Sequence, residues 1–312
     1  MANKATRDAY GEALKELGKK NKDIVVLDAD LSKSTRTAKF KEDYPNRFLN
    51  VGIAEQNLIG TSAGLAAAGK IPFASTFAVF ATGRAYEIIR NSVAYPKLNV
   101  KVAATHAGLT VGEDGASHQA LEDLSLMRSL PNMVVINPAD AVEAKEAVLK
   151  AAEYVGPVYI RLGRSKVPVI YDENNYEFEI GKGILVEDGT DATIIATGIM
   201  VSIALQARDE LLKDGINVRV IDIHTLKPID KDIIVKAAKE TGAIVTAEEH
   251  NIIGGLGSAV SEVLVENYPV PMERIGVKDT FGESGKSDEL LEKYGLTSSD
   301  LVEAVKRVVK RK

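Results

Sequence analysis

A single carboxylate, Glu55, stands at the turn between two predicted elements. The stretch 47–58 is predicted to be a strand that ends at Gly52 and continues into a helix, with Glu55 in its first turn. Behind Glu55 the helix is rich in glycine and alanine, although glycine weakens a helix by about 1 kcal/mol relative to alanine. A helix with such small side chains is typical of a place where another group packs closely against the backbone. Glu55 is therefore either part of a functional site or a residue that merely complements the helix dipole.

Two of the four histidines lie in one glycine-rich loop, at residues 105–119. The loop carries His106, Asp114 and His118, and its glycines allow close approach to a ligand. Imidazoles suit hydrogen bonding to sugar hydroxyls and carbonyls, or proton transfer. The His/Asp/His spacing matches no familiar zinc pattern, and the alternative is a surface loop with incidental histidines.

Aromatic and cationic side chains add weaker candidates. Phe77 and Phe80 could form an aromatic wall for a flat ring, or could simply be core residues. Arg7, Ser34 and Arg164 suit phosphate oxygens, although lone arginines are mostly solvated.

The second half of the chain offers two more patterns. The glycine cluster 254–257 lacks the surrounding dinucleotide pattern, so we interpret it as a structural turn. Glu248, Glu249 and His250 follow a predicted strand, where a polar strand end is the simpler interpretation.

Apolar runs that end just before these residues predict an α/β fold with a doubly wound parallel sheet. The predicted strands of the first domain are 24–27, 71–75, 100–105, 133–136 and 158–162. Helices are predicted with Thr6 as an N-cap and near 36–44, 86–95, 121–130 and 140–154. Ligands bind beyond the carboxyl ends of parallel strands, so we expect the polar and aromatic residues that follow these strands to converge there. They are Asp28, Asp30, Glu55, Phe77, Phe80, His106, Asp114, His118 and Arg164.

A polar region at 171–182 predicts a linker between two α/β domains, at 1–170 and 183–312. The second domain is the smaller, with strands predicted at 192–197, 218–223, 244–247 and 272–277, and a final helix at 298–310. A chain of 312 residues usually forms two domains.

Composition narrows the function classes. The net charge of −5 and scattered lysines argue against a nucleic-acid partner, and no apolar run is long enough to cross a membrane. The sequence has no cysteine and shows no secretory signal, so we expect a cytoplasmic protein.

Several motifs, in the same order, resemble transketolase. They are Asp28-Ala29-Asp30-Leu31, the stretch Val51-Gly52-Ile53-Ala54-Glu55-Gln56-Asn57, Thr76-Phe77 with Phe80, Ala104-Thr105-His106, and the segment 111–119 with its Val-Gly-Glu-Asp-Gly-x-x-His-Gln pattern. The resemblance spans the whole chain as the family's pyrimidine-binding domain followed by its C-terminal domain. The Gly-Asp-Gly motif of the family's diphosphate-binding half is absent from the sequence. The chain is therefore similar to the C-terminal subunit of a split transketolase.

The resemblance implies thiamine diphosphate as cofactor. Glu55 would hydrogen-bond the aminopyrimidine ring and promote its imino tautomer, and Phe80 would stack on that ring with Phe77 beside it. Asp30 matches a pocket carboxylate near the cofactor and the subunit contact. His118 would contact the reacting oxygens of the donor, so Glu55 and His118 are the expected catalytic residues.

The remaining loop and strand-end residues are implied to bind substrate. Asp114 would contact an acceptor hydroxyl, and the sugar phosphate would be held by Arg7, Ser34, His106 and Arg164. Gly83 stands where the family often has a third pocket aromatic, which predicts a more open pocket.

The resemblance also implies partners. Mg²⁺ or another divalent cation would be bound by an N-terminal subunit that carries the diphosphate site, and no metal ligands are expected on this chain. Two copies of each chain would form a heterotetramer with a homodimer contact, and the substrates would be sugar phosphates. Residues 53–56 also resemble 1-deoxyxylulose-5-phosphate synthase, but the loop pattern favours transketolase.

Two alternatives to this function remain open. One is the β subunit of a thiamine-dependent 2-oxoacid dehydrogenase, which has the same two-domain plan. The other is a non-catalytic homologue that only assembles or regulates.

Overall fold

A computed structural model describes residues 3–312. The strands are β1 (Asn3–Lys4), β2 (Ile24–Asp28), β3 (Phe48–Asn50), β4 (Ile71–Phe77), β5 (Lys101–Thr105), β6 (Val134–Ile136), β7 (Val158–Arg161), β8 (Val167–Pro168), β9 (Ile184–Glu187), β10 (Ala192–Ala196), β11 (Val218–Asp222), β12 (Thr225–Lys227), β13 (Ile244–Asn251) and β14 (Met272–Val277). The helices are α1 (Thr6–Lys20), α2 (Ser32–Thr35), α3 (Ala38–Asp43), α4 (Glu55–Ala67), α5 (Tyr86–Ile88), α6 (Asp123–Ser129), α7 (Ala141–Glu153), α8 (Met200–Lys213), α9 (Lys231–Thr241), α10 (Leu256–Asn267), α11 (Ser287–Lys293) and α12 (Ser298–Val309). Single 3₁₀ segments cover Pro45–Arg47 and Leu109–Asp114, and π-helical segments cover Phe80–Arg84 and Ile89–Ala94.

The first sheet has the strand order β12-β6-β7-β5-β4-β2-β3, and all its strands are parallel except β12. Every residue of β2 is buried, as expected for an inner strand covered on both faces. Asp28 pairs with Asn50 of β3 and with Ser75 of β4, and Phe77 pairs with Thr105 of β5. This register brings the carboxyl ends of four strands to one edge of the sheet.

Helices cover both faces of this sheet. Apolar residues of α1 and α7 pack with one face of β2, β4 and β7, and residues of α4 and α6 pack with the opposite face. The structure therefore confirms the predicted α/β fold with a doubly wound parallel sheet.

The second sheet has the order β14-β13-β10-β11-β9, with only β9 antiparallel to its neighbour. The helices α8 and α12 pack in one apolar cluster with this sheet, and α9 and α10 pack in another. That second cluster also contains Val135 and Tyr159 of the first sheet, so one apolar core runs between the two halves.

The strand β12 joins the two halves directly. It pairs antiparallel with β6, with Thr225 opposite Ile136, although it follows β11 in the chain. Next to it, Asn137 N donates to His224 O at 2.8 Å. The second half therefore completes an edge of the first sheet, which no sequence pattern predicted.

One local prediction was wrong, and two predicted helices differ in detail from those in the structure. Thr6 is not an N-cap, because Ala5 precedes α1 and the Thr6 hydroxyl accepts a hydrogen bond from Gly163 N at 2.8 Å. The helix predicted near 36–44 is α3, which begins only at Ala38 because Arg36 has a left-handed φ of 70° between α2 and α3. The helix predicted at 86–95 changes to π-helical geometry after Ile88.

The region 171–182 is tied to both halves of the chain. Phe178 is buried, the Tyr171 hydroxyl donates to Asp222 Oδ2 at 2.8 Å, and the Tyr176 hydroxyl donates to Glu143 Oε1. Within residues 3–312, no helix is long and apolar enough to cross a membrane.

Candidate functional site

A cavity of about 380 Å³ opens at the carboxyl edge of the first sheet. Its lining combines acidic, aromatic and cationic side chains with a few apolar ones: Ala29, Asp30, Leu31, Ile53, Glu55, Phe80, Arg84, Ser117 and His118. The sequence predicted that Asp30, Glu55, Phe80 and His118 would lie together, and the structure brings these four to one cavity.

Glu55, the first residue of α4, lines this cavity. Its side chain is only 5% exposed, and Oε1 accepts a hydrogen bond from Arg84 Nη1 at 3.1 Å. Arg84 is itself 56% exposed, and its guanidinium lies 4.3 Å from the centroid of the Phe80 ring. A flat cation thus lies on an aromatic ring and pairs with a buried carboxylate.

Arg84 was not singled out from the sequence. It follows Phe80 by four residues, and the π-helical segment Phe80–Arg84 brings the two side chains to the same side. An aromatic residue followed by a cation at that helical spacing was the available signal.

Aromatic rings form one wall beside Glu55. The rings of Phe77 and Phe80 are stacked at 5.8 Å between centroids, and His118 meets the Phe80 ring edge-on at 5.3 Å. Gly83 lies in open space, because an added Cβ there would meet no atom within 4 Å. The wall therefore consists of two phenylalanines and a histidine, with no third aromatic ring from position 83.

A second group lies behind Phe77. The His106 ring stacks on Phe77 at 3.8 Å, and its Nε2 lies 3.1 Å from Arg7 Nη1. Arg7 Nη1 also donates to the backbone oxygen of Ser34 at 3.0 Å. Burial, followed by the positive charge of Arg7, lowers the pKa of His106 to about 3. His106 is therefore a neutral hydrogen-bonding group at neutral pH.

A third group joins Asp114 to Arg164 at the outer side of the loop. Asp114 Oδ2 lies 4.0 Å from Arg164 Nη1, and Glu113 Oε2 lies 3.4 Å from the same nitrogen. Arg164 Nη1 also donates to Val111 O. Arg164 therefore contacts the loop at three residues. Asp114, at the end of the 3₁₀ segment, is exposed.

Asp30 marks the open side of the cavity. It is exposed with a φ of 64°, and its Oδ1 accepts a hydrogen bond from Asn50 Nδ2 at 2.9 Å. Ile53 nearby is 79% exposed. On α4, Gly60 and Gly64 are exposed, and an added Cβ at either would meet no atom within 4 Å. An open face of small residues thus adjoins the cavity.

The strand end in the second half is a structural anchor. Glu248 accepts hydrogen bonds from the backbone nitrogens of Leu256 and Gly257 at 2.7 and 2.8 Å, which holds the first turn of α10. A Cβ at Gly255 would lie 1.9 Å from Glu248 Oε2, so glycine is required for this close approach. Burial raises the pKa of Glu248 to about 7.

Among residues 3–312, no group of three or more His, Cys, Asp or Glu side chains is arranged to hold a metal ion. The cavity offers Glu55 as a hydrogen-bonding group and Phe80 as a stacking surface, which suits a flat heteroaromatic ring. Arg7 offers guanidinium donors for a more polar ligand, and His106 accepts a hydrogen bond from that guanidinium.

Comparison with known proteins gives two family matches. Residues 2–169 match the transketolase pyrimidine-binding domain, and residues 181–301 match the transketolase C-terminal domain. A protein of Methanocaldococcus jannaschii that is named for the transketolase C-terminal section is 54% identical over 99% of this chain and 97% of its own length.

Two further proteins are similar over nearly their full lengths. A 6-deoxy-6-sulfo-D-fructose transketolase subunit of Clostridium sp. is 46% identical over 98% of this chain and 95% of its own. A solved structure described as a split-gene transketolase in an inactive β4 tetramer is 60% identical, with a TM-score of 0.93 and 99% coverage of both chains.

Proposed function

This chain belongs to the transketolase family as a split subunit, and from that premise we propose that it transfers a two-carbon ketol unit from a ketose phosphate to an aldose phosphate. The proposed active form contains a partner chain that binds the diphosphate and a divalent cation. The carrying observation is the cavity that joins the buried Glu55 carboxylate to the Phe80 ring.

The residues of this cavity fit the pyrimidine end of thiamine diphosphate, on which the family's domains imply dependence. The Arg84 guanidinium, a flat group with N–H donors, already lies on Phe80 and hydrogen-bonds Glu55. An aminopyrimidine makes the same two kinds of contact. When bound, the cofactor supplies the electron sink for carbon–carbon bond cleavage and formation.

The chain's own residues then have separate tasks. Glu55 holds a hydrogen bond to the pyrimidine ring, while Phe80, with Phe77 beside it, fixes the plane of that ring. Arg84 leaves the face of Phe80 when the ring binds. His118, whose ring lies 5.3 Å from that of Phe80, faces the reacting oxygens of the donor.

Sugar phosphate would be held on the far side of Phe77. Neutral His106 and the cation of Arg7 are joined at 3.1 Å, and Ser34 lies beside them. Arg164 and Asp114 would complete the site at the loop, Asp114 through an acceptor hydroxyl. One relative is named for a sulfonated sugar, so a sugar sulfonate is an alternative to a sugar phosphate as the ligand of the Arg7 guanidinium.

The need for a partner chain is supported by the open side of the cavity. The diphosphate motif is absent from the sequence, and α4 presents an uncovered face with Gly60 and Gly64. We propose that this face packs against other subunits, with Asp30 close to the contact, in an assembly of two copies of each chain. The β4 tetramer described for the 60% identical protein is inactive, as expected if a β chain lacks part of the site.

The test is a reconstitution assay with the partner chain, thiamine diphosphate and Mg²⁺. Xylulose 5-phosphate and ribose 5-phosphate are supplied first, and 6-deoxy-6-sulfo-D-fructose is then tested as the donor. We expect ketol transfer by the pair and none by this chain alone. Robust transfer by the pure chain would refute the proposal that a partner chain is needed. Decarboxylation of pyruvate by the pair, without ketol transfer, would indicate a 2-oxoacid dehydrogenase subunit.

Substitution of Glu55 tests whether the activity depends on this cavity. Glu55→Ala in the reconstituted pair should abolish transfer, because it removes the carboxylate that meets the pyrimidine. Glu303→Ala is the matched control, since Glu303 is an exposed carboxylate on α12. Undiminished turnover by the Glu55→Ala pair would show that catalysis does not use this cavity.

A further inference from the structure

The loop that carries Asp114 and His118 is fastened by the second half of the chain. Glu249, at the end of β13, accepts a hydrogen bond from the backbone nitrogen of Thr110 at 2.6 Å. Glu249 is 4% exposed and lies far from Thr110 in sequence. The buried Glu249 carboxylate, on a strand of the second sheet, thus contacts the loop that follows β5 of the first sheet.

The segment before α11, together with Ser287 at the start of that helix, contacts the same loop. Ser284 Oγ donates to Glu113 O at 2.6 Å, and Ser287 Oγ donates to Thr110 O at 3.1 Å. Gln119, the last residue of the loop, donates from Nε2 to Glu283 O at 2.9 Å. The loop backbone is therefore hydrogen-bonded to two separate elements of the second half.

Two glycines show how closely these elements fit. Gly108 has a φ of +82°, and a Cβ there would lie 2.3 Å from the Glu249 carboxyl carbon. A Cβ at Gly282 would lie 2.0 Å from Gln119 Oε1. An added carbon at either glycine would have to displace one of these side chains or the loop itself, so the loop and its support are in close contact.

The loop has little regular structure to hold its own shape. Leu109–Asp114 forms a short 3₁₀ segment that is interrupted by a non-helical Gly112. Short 3₁₀ segments have poor hydrogen-bond geometry, so side chains from outside must fix such a loop. Asp114 stands at the end of this segment, and His118 follows it closely.

We propose that Glu249 is a positioning residue, which holds the loop through Thr110 N so that His118 lines the cavity and Asp114 stays beside Arg164. The proposal gives the second half of the chain a task in the reaction and rests on the proposed function. Ser284 and Ser287 support the same loop.

The test compares two variants of Glu249 with a neighbour. Glu249→Ala removes the acceptor, whereas Glu249→Gln keeps an oxygen that can accept from Thr110 N. Glu248→Gln is the matched control, because Glu248 is adjacent and fully buried but holds α10 rather than the loop. Each variant is measured in the reconstituted pair for kcat and KM, and in the free chain for hydrogen exchange at residues 106–119 and for the melting temperature.

We expect Glu249→Ala to lower kcat/KM by about 10- to 100-fold, since small misplacements of site residues cost that much. Glu249→Gln should recover most of the loss, and only Glu249→Ala should accelerate exchange of the Thr110 amide. Glu248→Gln should lower the melting temperature while kcat/KM stays within about twofold of the wild type. Equal kinetic losses in the Glu249→Ala and Glu248→Gln variants at matched stability would overturn the positioning role.

Hydrogen exchange separates this proposal from the proposed function. If the wild-type pair transfers no ketol unit but Glu249→Ala accelerates loop exchange, the positioning of the loop stands and the proposed function fails. If the pair is active and neither loop exchange nor kcat/KM changes, the positioning role fails alone. Should Glu249→Ala not fold, Ser284→Ala removes only the bond to Glu113 O, with Ser202→Ala on α8 as its control.

Discussion

Lowering the pH from 7.5 to 5 should destabilise the protein through His106, and His106→Asn should remove that part of the pH dependence. His106 Nε2 lies 3.1 Å from Arg7 Nη1, and Nδ1 lies 2.9 Å from Thr105 Oγ1. Arginine can only donate, so Nε2 accepts and the ring proton is on Nδ1, donating to Thr105. A second proton, on Nε2, would point at the guanidinium.

The magnitude follows from the two pKa values. Burial and Arg7 lower the pKa of His106 to about 3 in the folded protein, against about 6.5 in the unfolded chain. Below the unfolded pKa, only the unfolded chain binds the proton, so the free energy of unfolding falls as the pH falls. At pH 5, about 1.5 units below the unfolded pKa, the loss is about 2 kcal/mol. Any folded pKa under about 4 gives the same figure, because the folded ring is then neutral at pH 5.

The assay is urea denaturation followed by circular dichroism at both pH values, for the wild type and His106→Asn. Asparagine is chosen because His106 has a φ of 58°, which asparagine tolerates well. The drop in free energy of unfolding should be about 2 kcal/mol larger in the wild type. Equal drops in the two proteins, or an NMR signal of the His106 ring that titrates near pH 6.5, would refute the assignment of Nε2 as an acceptor.

Three further changes probe packing and assembly. Lys101→Met should lower the free energy of unfolding by about 3 kcal/mol or more in urea denaturation, because the buried Nζ donates to Asn99 Oδ1 and to two backbone carbonyls. Asp123→Ala should cost about 3–5 kcal/mol in the same assay, since it leaves the buried Arg161 guanidinium without the carboxylate 2.8 Å away. Gly60→Ala should raise the melting temperature of the free chain through a helix propensity gain of about 1 kcal/mol, yet weaken binding of the partner chain in a titration if α4 packs there; unchanged affinity would contradict that packing.

The carboxyl edge of the first sheet was predictable because its inner strands, such as β2, are buried on both faces. Runs such as 24–27 are apolar throughout, so both the strand and its end are visible in sequence. Together with the strand predicted to end at Gly52, these runs placed Asp30, Glu55 and Phe80 at one edge, and the structure brings them to one cavity. The parallel orientation of the strands then follows from their alternation with helices.

The contacts between the two halves were not predictable in the same way. The strand β12 is short and partly polar, and its pairing with β6 is decided by the packing of both halves. Glu249 gave only the pattern of a polar strand end, because nothing local connects it with Thr110. The loop itself was predicted from its glycines as irregular, yet Leu109–Gly112 is buried, since the second half covers it.

The two sides of the candidate site differ in whether this chain alone can hold them in place. The loop at Thr110 is held by Glu249 of the same chain, so its position does not require another polypeptide. Ile53, in contrast, is 79% exposed beside the cavity, next to the open face of α4. On the proposed function, partner binding should therefore slow hydrogen exchange on α4 far more than at Thr110. Strong new protection at Thr110 instead would mean that the loop is ordered by assembly, and that the second half of this chain does not suffice to hold it.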